Sequence, residues 1–568
     1  MVGDWAHIGL WVGSQEDRVQ GVCCSCPAYV REILDHAGLF YTEPERASLA
    51  APEQAVLLFV GNVALTPEEA AGVRAHLERA GAAVFVAHHG NVPELLGVQP
   101  AAPAAFAWGA GFVPLGEGYL QPAPGHPVTE GIPRPLHYFG GTAVEAAGAR
   151  VLATGADALG LPDGRPLVTE HRVGRGLALL IAADLPGTVA SIQQGTYVDT
   201  DRPSAPDGSA NTADNVLKCD DGCVLHFALD RDRPLADAMP CFATPVADRW
   251  RELLIRALLH AARSLNLPLP LLWYYPRHLP ALGMLSFDSD GNDPELARAL
   301  LANLGRLGVR GTWAIMEPGY EPGLLQELLA AGMEVGLHFN ALDSPDVPTW
   351  SPAAFARQHQ LLSERLGQPV TSNKNHYTRW QGRLEFFRWC AEIGIQVDES
   401  RGPSKTGEIG FPFGTCHPYF PMERDGERLP VMEIGFLTQD LVVTAPAAMG
   451  RLFVDWVRQV HGVAHLLFHP AHCTKSGVYE AMADFVGYAR EQGLELWTDA
   501  QILAWEPARR GVTLTSRPDG FTLQSPAPLP QATVLVLDPQ GEAEHYGCRF
   551  RVHQADLTAG EAVAFGGG

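Results

Sequence analysis

The chain has 568 residues, more than a single hydrophobic core usually serves, so several domains are expected. An apolar share of 46% beside 18% charged residues excludes a disordered chain. Lys and Arg number 41 against 64 Asp and Glu, a formal charge of −23 that argues against nucleic acid or an anionic membrane as partner. The longest uncharged stretch, 98–116, is broken by three prolines and makes a poor spanning helix. The first residues lack a basic segment followed by an apolar one, so no export signal is visible and a cytoplasmic location is expected. Cys23, Cys24 and Cys26 cluster early, and Cys219 and Cys223 flank an Asp-Asp-Gly turn. Neither has the spacing of a structural zinc site, so free thiols are expected.

The first 200 residues alternate strand and helix signals. Ala55–Val60 reads as a buried strand, and Thr66-Pro67-Glu68-Glu69 starts a helix with proline in its first turn. Ala70, Val73, Leu77 and Ala80 recur at helical spacing before Gly81, and Ala82–Ala87 forms the next strand. Pro166–Ala183 predicts a hairpin around Gly-Arg-Gly. The domain at 1–200 is therefore α/β on an at least partly parallel sheet. An irregular excursion and connecting segment at 201–280 contains an amphipathic helix at Trp250–Leu265. Its last residues, 266–276, read as a semi-rigid link.

From 281 to 506 the alternation becomes regular. Strands are predicted at Leu282–Phe287, Val309–Ile315, Glu334–His338, Ile395–Val397, Val431–Ile434, Ala464–Phe468 and Leu494–Trp497. Helices fall between them, at Pro294–Leu307, Leu324–Ala331, Pro352–Leu366, Leu384–Ile393, Pro446–Val460 and Val478–Gln492. This predicts a distorted (β/α)7 barrel, with chemistry at the carboxyl ends of its strands. Residues 507–568 switch to short alternating runs and predict a small all-β module.

Polar residues at the predicted strand ends carry the chemistry. Asp288 and Asp290 follow the first strand, suited to a base beside a metal ligand, although an acidic helix-capping loop would look the same. His338 ends a strand, and His376 and Arg379 lie in a dense polar and aromatic cluster opening the next helix. Asp398 and Glu399 follow another strand, and His469 and His472 stand past Leu466-Leu467-Phe468. Together they place carboxylates and imidazoles around one cleft. Trp313, Trp380, Trp389, Phe411, Phe413 and Tyr419 are the candidates for stacking on sugar, with most of them expected in the core, and Cys416–Tyr419 is a candidate rim.

This order of motifs resembles the polysaccharide deacetylase (NodB-homology) superfamily, carbohydrate esterase family four, over about residues 281–506. The resemblance implies a divalent ion, in the first instance Zn2+, with Asp288 as base, Asp290 and His338 as ligands, and His469 as general acid. Where the family has its second motif histidine this chain has Leu342, followed by Asp343; His376 replaces the missing ligand, with Asp343 the weaker substitute. Arg379 takes the place of the arginine that orients the base, and Glu399 or Asp398 that of the acidic residue of the fourth motif. The first domain resembles, more loosely, the flavodoxin-like fold of class I glutamine amidotransferases. The turn after its Ala82–Ala87 strand reads His88-His89-Gly90-Asn91 with no cysteine, so it is expected to be non-catalytic.

The resulting expectation is a metal-dependent hydrolase of non-peptide C–N bonds, acting on an N-acylated sugar or related metabolite, and compatible with homo-oligomerisation. A metal-independent amidase of the same superfamily, or a non-catalytic scaffold binding carbohydrate or protein, are the alternatives.

Overall fold

A computed structural model describes residues 5–13, 26–101, 113–203, 205–209, 214–236, 239–342, 349–517 and 520–566. Cys23, Cys24 and Asp343 lie outside them. The chain is a mixed α/β structure with a curled parallel sheet and several further sheets.

The N-terminal sheet has nine strands. Five run parallel, in the order Tyr41–Thr42, Ile8–Val12, Val56–Val60, Ala82–Val86 and Gly176–Ile181. Four antiparallel strands continue it, Pro162–Val173, Arg150–Asp157, Glu117–Pro122 and Leu136–Phe139. The predicted helix forms over Pro67–Glu78, and Thr66 and Glu69 close a reciprocal capping box that satisfies two otherwise orphaned N–H groups. It ends at Arg79, just short of Gly81. After Ala82–Val86 the chain turns at Ala87, whose φ is 70°. His88 and His89 each accept an N–H two residues on, so both rings serve the turn.

The helix Val246–Ser264 is not amphipathic in the expected sense, because its polar residues are buried too. They are tolerated as ion pairs: Glu252 takes Arg249 and Arg256 at 2.7 Å each. The segment read as a semi-rigid link also differs. Pro270–Leu272 is a buried strand paired antiparallel with Leu529–Leu537 of the C-terminal β region. Its proline is tolerated because it stands first in the strand. One continuous core therefore runs from the N-terminal sheet through Val246–Ser264 into the C-terminal strands, and a second fills the central part.

The central sheet is parallel, in the order Met432–Glu433, Val397–Asp398, Ser372–Asn375, Glu334–Phe339, Thr312–Met316, Leu282–Asp288 and Val463–Phe468. Glu495–Leu496 pairs with the start of Leu282–Asp288. The strand Ser372–Asn375 escapes sequence reading because all four residues are polar, yet all four are buried. Segment 432–438 links the sheet's two edges. Ile434 N–H donates to Asp398 O at 2.9 Å, and Leu437 N–H donates to His465 O at 2.9 Å. A helix at Asp499–Arg510 precedes the C-terminal strands, which form a four-stranded and a three-stranded sheet. No helix among the described residues is long and apolar enough to cross a membrane.

Candidate metal centre

Asp288 is the last residue of its strand and Asp290 opens the 3-10 turn that follows. The helix-capping role falls to Asp293, whose carboxylate accepts from Glu295 and Leu296 N–H, leaving the earlier two carboxylates for the cleft. His338 lies on the neighbouring side at the end of Glu334–Phe339, and His376 directly follows Ser372–Asn375.

These side chains converge. His338 Nε2 lies 3.2 Å from Asp290 Oδ1 and 3.7 Å from Asp288 Oδ2, and His376 Nε2 lies 3.7 Å from Asp290 Oδ2. The ligand atoms of Asp290, His338 and His376 all fall within 4.8 Å of one another. Two donors each about 2.1 Å from one tetrahedral ion sit about 3.4 Å apart, and separations of 3.2 and 3.7 Å are compatible with shared ligation. The outer nitrogens agree. His338 Nδ1–H donates to Lys374 O at 3.0 Å and His376 Nδ1–H to Asn340 Oδ1 at 3.2 Å, which leaves both Nε2 lone pairs facing Asp290. Asp288 is buried, and its Oδ1 has no hydrogen-bond partner, an acceptor left for something besides protein. The donor set fits a divalent ion such as Zn2+.

His469 faces the same point, its Nε2 3.7 Å from Asp290 Oδ2. Its position is fixed by Asp440, which sequence reading missed. Asp440 accepts His469 N–H at 2.8 Å, His469 Nδ1–H at 2.6 Å and His472 Nδ1–H at 2.7 Å. Burial would lower the His469 pKa, but Asp440, then Asp288 and Asp290, raise it to about 9.

The other sequence candidates lie elsewhere in the fold. Glu399 is buried inside the curled sheet, 3.2 Å from His465 Nε2 and 3.7 Å from Lys374 Nζ. Burial and the nearby Glu399 charge push the Asp499 pKa up, while Asp499, His465 and Lys374 hold Glu399 low against its own burial. Lys374 also donates to Ser286 Oγ at 3.0 Å, and Ser286 meets His465 Nε2 at 2.7 Å. Asp398 accepts from Asn373 and Ser400. Arg379 donates to Trp380 O at 2.9 Å and to Gln381 Oε1 at 3.3 Å. Trp313, Trp380, Phe411, Phe413 and Tyr419 are buried in packing roles, and Trp389 packs against the same core. The proposed rim at Cys416–Tyr419 is buried as well, with His417 against Tyr274 and His36 of the helix Val30–Ala37, and Cys416 N–H donating to Asp248 of Val246–Ser264. Cys219 and Cys223 are buried free thiols that donate to backbone carbonyls.

No protein-family model and no curated protein matches the chain. Solved structures similar to the central part include a provisionally assigned polysaccharide deacetylase from Mycobacterium smegmatis, at 17% identity and a TM-score of 0.31, aligned over 41% of this chain and 92% of that one. PuuE allantoinase is similar at 11% identity and a TM-score of 0.31, over 40% of this chain and 91% of its own. A CE4 family pseudoenzyme from Bacillus anthracis is similar at 15% identity and a TM-score of 0.26, over 40% and 68%.

Proposed function

We propose that the chain is a metal-dependent hydrolase of non-peptide C–N bonds, with N-deacetylation of an acylated sugar or related metabolite as its reaction. Residues 281–506 form the hydrolase unit, a distorted (β/α)7 barrel flanked by a non-catalytic α/β domain at 1–200 and a β module at 507–568. The observation that carries the reading is the convergence of His338 and His376 Nε2 on Asp290 at ligand-to-ligand spacing, with both tautomers fixed from behind.

Asp290, His338 and His376 hold the ion, Zn2+ in the first instance. When bound, it supplies Lewis-acid polarisation of the amide carbonyl and a lowered pKa for water. Asp288 Oδ1, buried and unpartnered, takes the proton of the attacking water. His469, kept protonated by Asp440, delivers a proton from Nε2 to the departing nitrogen. That last step is needed because an unprotonated amine is a very poor leaving group.

The test is elemental mass spectrometry on the purified protein beside an Asp290→Ala, His338→Ala double variant, with acetate release from acetamido sugars measured on both. About one divalent ion per chain, lost in the variant together with acetate release, supports the reading. A parent protein that binds no added Zn2+ refutes it.

A further inference from the structure

We infer that Tyr377, held by the excursion that precedes the central sheet, is a specificity-determining residue that stacks the pyranose ring of the substrate beside the metal centre. This rests on the hydrolase reading above and adds the residue that selects a sugar over a small acyclic amide.

Tyr377 directly follows the ligand His376, and the two ring centroids lie 5.8 Å apart with the rings nearly perpendicular. While the other candidate aromatics are buried or packed against the core, Tyr377 is 52% exposed. Its backbone is unusual too. Tyr377 has φ 63° and Thr378 φ 50°, consecutive left-handed conformations in a bulky and a β-branched residue. Such conformations persist only where the surroundings impose them, and they gather at ligand clamps.

The surroundings here come from residues 214–218. Leu217 O accepts Trp380 N–H at 3.0 Å, and Lys218 and Arg379 form an antiparallel bridge. Lys218, itself buried, is gripped by both Asp214 carboxylate oxygens at 2.7 Å and places its ammonium 5.4 Å from the Tyr377 ring centroid. The excursion thus fixes the ring beside His376 while leaving half its surface free. A pyranose suits that surface: its flat C–H face stacks on an aromatic ring, and its acetamido group extends from the ring edge toward His376 and Asp290. A small acyclic amide has no such face and gains nothing from the tyrosine.

The experiment is calorimetric titration of the Zn2+-loaded full-length protein with di-N-acetylchitobiose and, separately, N-methylacetamide. Tyr377→Leu is expected to weaken disaccharide binding about tenfold, and Tyr377→Phe to stay within about twofold. Lys218→Met is expected to weaken it a few-fold, with recovery in Lys218→Arg, because the cation orders the ring without touching the sugar. Tyr377→Asn, a residue that accepts left-handed backbone, repeats the test if the leucine variant fails to fold. Undiminished disaccharide binding by a folded ring-less variant overturns the proposal. So does a parent protein that binds the acyclic amide but not the disaccharide, or neither. Metal content is read on the same samples: a parent without metal refutes the hydrolase reading, and the tyrosine dependence of disaccharide binding still decides the platform.

Discussion

Lys374 and Glu399 are each only 1% exposed, and their charges lie 3.7 Å apart inside the curled sheet. At an effective dielectric of about 20 their attraction is about 4.5 kcal/mol. Lys374→Met leaves Glu399 buried beside His465 at 3.2 Å, a ring whose pKa burial lowers, so the expected loss is about 3–5 kcal/mol. Glu399→Gln costs less, because Asp499, relieved of the Glu399 charge, ionises beside Lys374, and the double variant recovers part of the Lys374→Met loss. In a cooperative unit of 150–250 residues such a loss lowers the thermal midpoint by roughly 6–20 °C. Thermal unfolding of the parent, both single variants and the double variant closes the cycle. Because Lys374 O also fixes His338, Zn2+ affinity is read beside it. Single variants that each cost less than about 1 kcal/mol, or double-variant losses that merely add, would refute the reasoning.

Asn340→Ala removes the acceptor behind His376 and should weaken Zn2+ binding about 10–100-fold, read by competition with a chromophoric chelator. Asp440→Asn should lower turnover about 10²–10⁴-fold while leaving the metal in place, because it frees His469 without touching a ligand; loss of metal would contradict that division of labour. His137 makes the stability pH-dependent far from the site. Burial would lower its pKa, but Asp230 at 2.8 Å and Glu117 at 2.9 Å raise it to about 9. A raised histidine stabilises fully below its unfolded pKa near 6.5 and loses that contribution as pH climbs through about 9. With Glu117 partly exposed, the amount is on the order of 2 kcal/mol. Thermal midpoints should fall between pH 6.5 and 9.5 in the parent, and His137→Gln should flatten that slope.

What could be read from the sequence follows from how each strand is packed. Leu282–Asp288 and Val463–Phe468 are apolar up to their ends apart from Ser286 and His465, so Asp288, Asp290 and His469 stood out as polar residues past a hydrophobic run. Ser372–Asn375 has no such run, because the inside of the curled sheet here is a hydrogen-bonded network instead of an oily core. Asn373 reaches Asp398 and Lys374 reaches Ser286 and Glu399. Asp440 had no local signal at all: it sits in a loop, one of 64 acidic residues, and only the fold brings it to His469. Tyr377 was hidden for a related reason, since the residues that hold it come from an irregular segment about 160 positions earlier.

Among the described residues, spacing also separates three groups of histidine and carboxylate of similar make-up. In Asp440, His469 and His472 the contacts are 2.6 and 2.7 Å, hydrogen-bond lengths, too short for two ligands of one ion. In His126, Glu170 and His260 the Glu170–His260 contact is again 2.6 Å. His126 Nδ1 there accepts Val128 N–H at 3.3 Å, so a neutral ring keeps its proton on Nε2, the nitrogen facing Glu170 at 3.5 Å. Only Asp290, His338 and His376 combine ligand-length gaps with outward Nδ1 donors. Full loading with Zn2+ should therefore give about one tightly held ion per chain, and Glu170→Gln should leave that number unchanged. Two tightly held ions, one of them lost in Glu170→Gln, would show that a 2.6 Å contact opens to admit a metal and that spacing does not discriminate these sites.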